Sequence, residues 1–223
     1  MDKSLSVSLG KSLTSEVANC MSNLLETGLD SVLEDGILKD IPFISTIISL
    51  YKIGNSLHDR HNIKKLAAFV DEINAGIADE GKRESYRKKF NDNKRFHEEL
   101  EYLLILIDRY IGFQKPRMLG RLFLSYQDKL LTWNELAQYA QIIDRFLPGD
   151  YLTLCNTALE NVTLEDDRID AVLRLSSMGL VSQDVVSISK MVDGMEEVSA
   201  TTGFSITSFG QKLKDQIGVL DDQ

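Results

Sequence analysis

Three prolines and fourteen glycines in 223 residues leave few places where a helix must stop, and that scarcity of breakers most limits what this chain can fold into. Apolar side chains fill the long intervals at three-and-four spacing, which is the mark of an amphipathic helix rather than of the period-two strand. Leu13, Val17, Cys20, Met21, Leu24, Leu25, Leu29, Val32 and Leu33 form such a stripe over residues 12–34, with Gly28 and Gly36 as stops. Pro42 has no N–H to leave unsatisfied and suits a first helical turn, with Asp40 placed to cap it. The pattern then runs helical over 42–53 and on to 74, with Gly54 as a kink and Gly76 as a C-cap. The expected class is mainly all-α, a multi-helix bundle.

The middle of the chain alternates charge and grease. Residues 78–93 are strongly charged, whereas 94–111 contain Tyr102-Leu103-Leu104-Ile105-Leu106-Ile107, apolar on every side and so expected to be central and buried. A further amphipathic stretch carries Met118, Leu119, Leu122, Phe123 and Tyr126. Thr132 and Glu135 stand at the spacing of a capping box, which predicts a helix over 133–146. After the break at Leu147-Pro148-Gly149-Asp150, short helices are expected over 151–159 and from Thr163 to Gly179. Leu180-Val181, Val185 to Ile188 and Phe204 to Thr207 then read as short β-friendly runs, and a last helix starts at Ser208, with Gln211 at capping-box distance. A helix continuing from Asp184 through Met191 and Val192 is the alternative. The expected layout is a helical domain over 1–160 and a helix and short-strand subdomain over 161–223, the latter a small winged-helix-like α/β tail.

Composition narrows the function. A formal charge of −9 disfavours general nucleic-acid binding, because an acidic surface repels phosphate. Cys20 and Cys155 make neither a disulfide framework nor a zinc set. The opening Met1-Asp2-Lys3-Ser4 lacks the layout of a signal peptide, so a cytoplasmic location, with peripheral membrane association as a variant, is expected.

The run Leu38-Lys39-Asp40-Ile41-Pro42, followed by Lys52, Gly54, Asp59-Arg60 and Lys64-Lys65-Leu66, resembles a segment of a family of bacterial all-helical proteins. Leu119-Gly120-Arg121-Leu122-Phe123 and Ile142-Ile143-Asp144-Arg145 extend the likeness over roughly the first two thirds of the chain. The resemblance implies a helical fold and no activity, cofactor or site residue. Ile206, Thr207 and Gly210 resemble, more weakly, the strand-then-helix endings of winged-helix domains.

Two stretches are candidate surfaces. Phe43, Ile44, Ile47, Ile48 and Tyr51 lie on an apolar helix bordered by Asp40 and Lys52, far shorter than the roughly 20 residues that span a bilayer; it reads as core, or as an element that meets a partner or a lipid surface. Lys82, Arg83, Arg87, Lys88, Lys89, Lys94 and Arg95 form a basic patch interleaved with Tyr86, Phe90 and Phe96, which reads as a solvated helix face or as a site for anionic groups. His58, Asp59 and His61 lack the remaining ligands of a zinc shell, and His97 reads as a boundary residue. Leu9-Gly10-Lys11-Ser12 echoes a phosphate loop without its first glycine, and Glu165, Asp166, Asp167 and Asp170 suit the start of a helix. No catalytic, cofactor-binding or metal-ligating residue is assigned. The leading expectation is a non-enzymatic helical interaction protein that recognises a protein partner and leaves room for a homo-oligomer. A membrane-active effector of a toxin or phage-defence system comes second, and DNA binding through the tail third.

Overall fold

The computed structural model describes residues 57–77, 79–91, 94–156, 158–159, 162–192 and 195–218. Over these the chain is mainly helical, with one small antiparallel sheet near its C-terminus. The elements are α1 (Leu57–Gly76), α2 (Glu80–Asn91), α3 (Lys94–Arg109), α4 (Gln114–Gln127), α5 (Trp133–Arg145), α6 (Asp150–Asn156), α7 (Ile169–Ser177), β1 (Val181–Val192), β2 (Met195–Ile206) and α8 (Ser208–Ile217). Compactness divides the chain into Met1–Asp144 and Arg145–Gln223, against the 1–160 and 161–223 expected from sequence texture. What differs is the placing of α6, which packs on α7 and α8.

In the first unit α1 packs chiefly on α4, and both contact α3. Their stripes interlock as the three-and-four spacing requires: Ile63, Leu66, Phe69, Val70 and Ile73 from α1, Leu100, Leu103 and Ile107 from α3, and Leu119, Leu122 and Phe123 from α4 are all buried. Phe69 and Phe96 tilt against Phe123 with ring centroids 6.1 and 6.0 Å apart. Gly120 lets the α4 backbone approach α1, since a Cβ there would stand 3.1 Å from both the Phe69 carbonyl and the Glu72 Cβ. Flanking it, Arg117 Nε and Arg121 Nε donate to the two oxygens of Glu72 at 2.9 and 2.5 Å.

Helix α1 also closes the end of α3. Lys65, buried to 1% exposure, donates from Nζ to the carbonyls of Asp108 and Tyr110, both at 2.7 Å. Asn62 donates to the Asp108 carboxylate, and His61 Nε2 donates to the Ile111 carbonyl. Lys65 and His61 satisfy carbonyls at and just past the end of α3, and the Lys65 ammonium places positive charge at its negative end. Burial lowers the Lys65 pKa from its ordinary value, with Asp108 acting the other way.

In the second unit, Asp150 has no exposed surface and accepts from Arg174 Nη2 at 2.7 Å and Nε at 3.1 Å, joining α6 to α7. Its other oxygen accepts from the Leu147 N–H at 2.8 Å, which closes the entry to α6. Gly179, at φ 76°, ends α7 in a Schellman turn: its own N–H bonds the Ser176 carbonyl at 2.9 Å and the next N–H, of Leu180, bonds Leu175 at 3.0 Å. The two twelve-residue strands pair in register from Val181 with Ile206 to Val192 with Met195. Tyr151 Oη donates to the Gly218 carbonyl at 2.8 Å, fastening the end of α8 to α6.

Several expectations change. Ile105 is 53% exposed, so α3 carries an apolar stripe and is not buried all round; its neighbours cover one side only. Gly76 is the last residue of α1 rather than a cap beyond it, and lies against the Leu124 side chain. Helix α6 stops at Asn156. Helix α7 begins at Ile169 instead of Thr163, because Asp166 takes the N–H and guanidinium of Arg168 in a local turn that spends the donors a helix would use. Two long strands replace the short runs and the alternative helix from Asp184, with Gly203 inside β2 opposite Asp184. The N-cap of α8 is Thr207, whose Oγ1 accepts from the Gly210 N–H at 2.9 Å, one residue before the Ser208 expected. The stretches 12–34 and 42–53, with Asp40, Pro42 and Gly54, lie outside the described residues.

A Cβ at Gly210 would stand 2.0 Å from the Leu180 carbonyl oxygen and 2.8 Å from its carbon, both backbone atoms. Gly210→Ala is expected to destabilise the second unit by about 2–4 kcal/mol, whereas Gly112→Ala, which meets nothing within 4 Å, stays within about 0.5 kcal/mol of the parent. Urea titrations followed by circular dichroism compare the two.

Candidate functional site

The basic patch is the first sequence-derived surface within the described residues, and its members are engaged. Lys82 Nζ lies 2.7 Å from the Asp128 carboxylate, Arg83 Nη1 donates to Asn74 at 3.0 Å, and Arg87 meets Glu84 at 2.7 Å. Lys88 reaches Glu84 at 4.0 Å, Lys94 reaches Glu98 at 3.7 Å and Arg95 reaches Glu99 at 2.9 Å. Lys89 donates to the Gln127 carbonyl at 3.2 Å, the last residue of α4, and lies 5.2 Å from the Tyr86 ring. Phe96 and Tyr86 are buried. Lys82 and Lys89 of α2 thus close the end of α4, Arg83 reaches α1, and Arg87, Lys88, Lys94 and Arg95 pair with carboxylates one turn away on their own helices.

Asp128 is the hub of that closure. Tyr86 Oη donates to its second oxygen at 2.5 Å, and Lys82 holds the first. Burial alone would raise the Asp128 carboxyl, yet the hydrogen bonds from Lys82 and Tyr86 outweigh it and hold the group below its ordinary 3.8. Burial, reinforced by the Asp128 bond, drives the Tyr86 hydroxyl well above its usual range.

A second arrangement was not singled out from sequence. Arg95, Glu98, Glu99 and Tyr102 on α3 face Trp133 and Ala137 on α5 across a cleft of about 360 Å³. Trp133 stands edge-on to Tyr102 and tilted to Tyr126, each with ring centroids 5.7 Å apart. Glu99 is only 6% exposed, and its carboxylate is held from two sides: Tyr126 Oη lies 3.0 and 2.9 Å from its oxygens, and Arg95 Nε donates to Oε1 at 2.9 Å. Burial and that carboxylate push the Tyr126 hydroxyl up to about 12, so it is a bound donor across the neutral range. Gln141 donates to the Tyr102 hydroxyl at 2.7 Å and orients that ring.

Local sequence builds the cleft's α5 wall. Glu135 accepts from the Thr132 N–H at 2.8 Å while Thr132 Oγ1 accepts from the Glu135 N–H at 3.3 Å, the reciprocal pair expected from sequence. That cap sets Trp133 on the first turn, with Ala137 one turn on. In sequence Glu98 and Glu99 are two acidic residues beside His97 with nothing to set them apart, and Tyr102 is one member of an apolar run. No periodicity joins residues 99, 102 and 126 to 133; their meeting requires the turn between α4 and α5.

The other candidates stay apart. His58 lies within reach of the Asn62 amide, and His61 contacts the Phe113 ring with centroids 5.1 Å apart; among the described residues no group of three metal-capable side chains converges. Cys155 is buried, its Sγ 3.6 Å from the Gly218 carbonyl. Glu165, Asp166, Asp167 and Arg168 line one shallow surface turn. No described helix is long and apolar enough to cross a membrane, and Phe43, Ile44, Ile47, Ile48 and Tyr51 fall outside the described residues. The chain matches no protein-family model, no curated protein and no solved structure.

The lowered Asp128 pKa fixes the sign of a pH effect. A carboxyl held below its unfolded value contributes stability above that value and loses it as pH falls through the folded one. The stability difference between the parent and Asp128→Asn is therefore expected to be full at pH 7 and to shrink below about pH 4, read from urea midpoints across that range.

Proposed function

We propose that the chain is a non-enzymatic helical interaction protein that recognises a protein partner through the cleft between α3 and α5. The observation that carries this reading is the composition of that cleft: half-exposed tryptophan and tyrosine with an exposed arginine, the residue types that dominate binding hot spots, gathered around a concave surface. The aromatic walls are held by the Thr132 cap and by the hydrogen bond of Gln141 to Tyr102, so little side-chain freedom is lost on binding. Of the basic residues that a lipid-binding reading would use, Lys82 and Lys89 are committed to the end of α4.

Two substitutions test it. Trp133→Ala removes the central ring, and Ala137→Leu fills the cleft without disturbing helix propensity. Affinity capture from lysate of the producing cells is expected to recover a stoichiometric partner with the parent protein, reduced at least about tenfold by either change, as loss of a residue worth more than 1.4 kcal/mol requires. Equal recovery by parent and both folded variants, checked by circular dichroism, removes the cleft from the interface.

A further inference from the structure

We propose that the Trp133 cleft receives a cationic side chain, arginine in preference to lysine, from a basic segment of the partner; this rests on the interaction reading above. The first argument is electrostatic. Of the lining side chains, Glu98 and Glu99 are acidic and Arg95 is basic, so the lining carries one net negative charge within a chain of formal charge −9. With Arg95 committed to Glu99, a carboxylate or phosphate ligand would face the charge of Glu98, and an apolar ligand would cover it without compensation.

The second argument is the arrangement of the two carboxylates. Glu99 is buried and fixed by Tyr126 and Arg95. Glu98 is 64% exposed on its side chain and its 3.7 Å contact is with Lys94, itself 88% exposed. An ion pair that open to water is worth little and exchanges readily, so an incoming cation can take Lys94's place on Glu98 without disturbing the fold. The third argument is the pair of ring systems. Tyr102 and Trp133 meet edge to face beside these carboxylates, and a planar guanidinium stacks on an aromatic face while donating in its own plane to a carboxylate, which an ammonium does less well. Arg95 already bonds Glu99 at the edge of this cleft, so a guanidinium meets a carboxylate there within the chain.

The chain's single tryptophan is Trp133, so its emission reports on the cleft directly. The intact protein is titrated with a short glycine-spaced peptide carrying three arginines, and with the lysine and glutamate versions of it. The arginine peptide is expected to give a saturable emission change that weakens with added salt, the lysine peptide a weaker one, and the glutamate peptide none. Glu98→Gln is expected to weaken the arginine response by about three- to tenfold, while Asp167→Asn, in the other unit, leaves it unchanged. Absence of a saturable change, an equal response to the glutamate peptide, or equal weakening by both substitutions overturns the proposal. Partner capture separates the two readings: a partner lost with Trp133→Ala but held undiminished by Glu98→Gln overturns the cation proposal and leaves the interaction reading standing.

Discussion

The close approach of α4 to α1 is the contact on which the first unit depends. Gly120 removes the side chain that would hold the helices apart, and a Cβ there would stand 3.1 Å from the Phe69 carbonyl. With the backbones this near, Phe69 meets Phe123 in the core, and Glu72 sits between Arg117 and Arg121 at the seam's edge. The apolar contact provides most of the drive, since burial of large side chains is worth more than partly exposed ion pairs. The ion pairs set which rotation of α4 about its axis fits.

At the C-terminal ends of α3 and α4, side chains from other helices take part in the closure, beside a local turn at Lys129, whose φ is 64°. Lys65 and His61 of α1 finish α3, while Lys82 and Lys89 of α2, with Tyr86 holding Asp128, finish α4. Lysines at negative helix ends recur in the unit, Lys65 at α3 and Lys89 at α4. Lys82 and Lys89, which read in sequence as part of a binding patch, belong to this machinery, while the aromatic cleft is formed by α3 and α5 around Trp133. The second unit uses the same economy of contacts: one buried pair, Asp150 with Arg174, and one close backbone approach, Gly210 to Leu180.

Local signals carried the elements whose physics is local. The Thr132 and Glu135 box, the Gly179 stop and the amphipathic stripes of α1, α4 and α5 are each legible within a few residues. The start of α7 was not, because Asp166 diverts to Arg168 and a carboxylate-rich stretch looks the same whether it opens a helix or a turn. In sequence the long hairpin shows only as short β-friendly runs, since strand stability comes from the partner across the ladder and isolated propensity is weak. Exposure of Ile105 was hidden for a related reason: an apolar run does not say how many of its sides have neighbours.

The sequence by itself determined the helical class, most helix positions and the acidic balance, because spacing, breakers and charge act over one or two turns. Tertiary structure alone decided the cleft. Glu99, Tyr102, Tyr126 and Trp133 come together only when α3, α4 and α5 pack, and whether a tyrosine is core or a binding wall depends on which helix faces it. It decided likewise that the basic patch is engaged, since Asp128 and the Gln127 carbonyl lie far along the chain from Lys82 and Lys89 and meet them only where α2 crosses the end of α4.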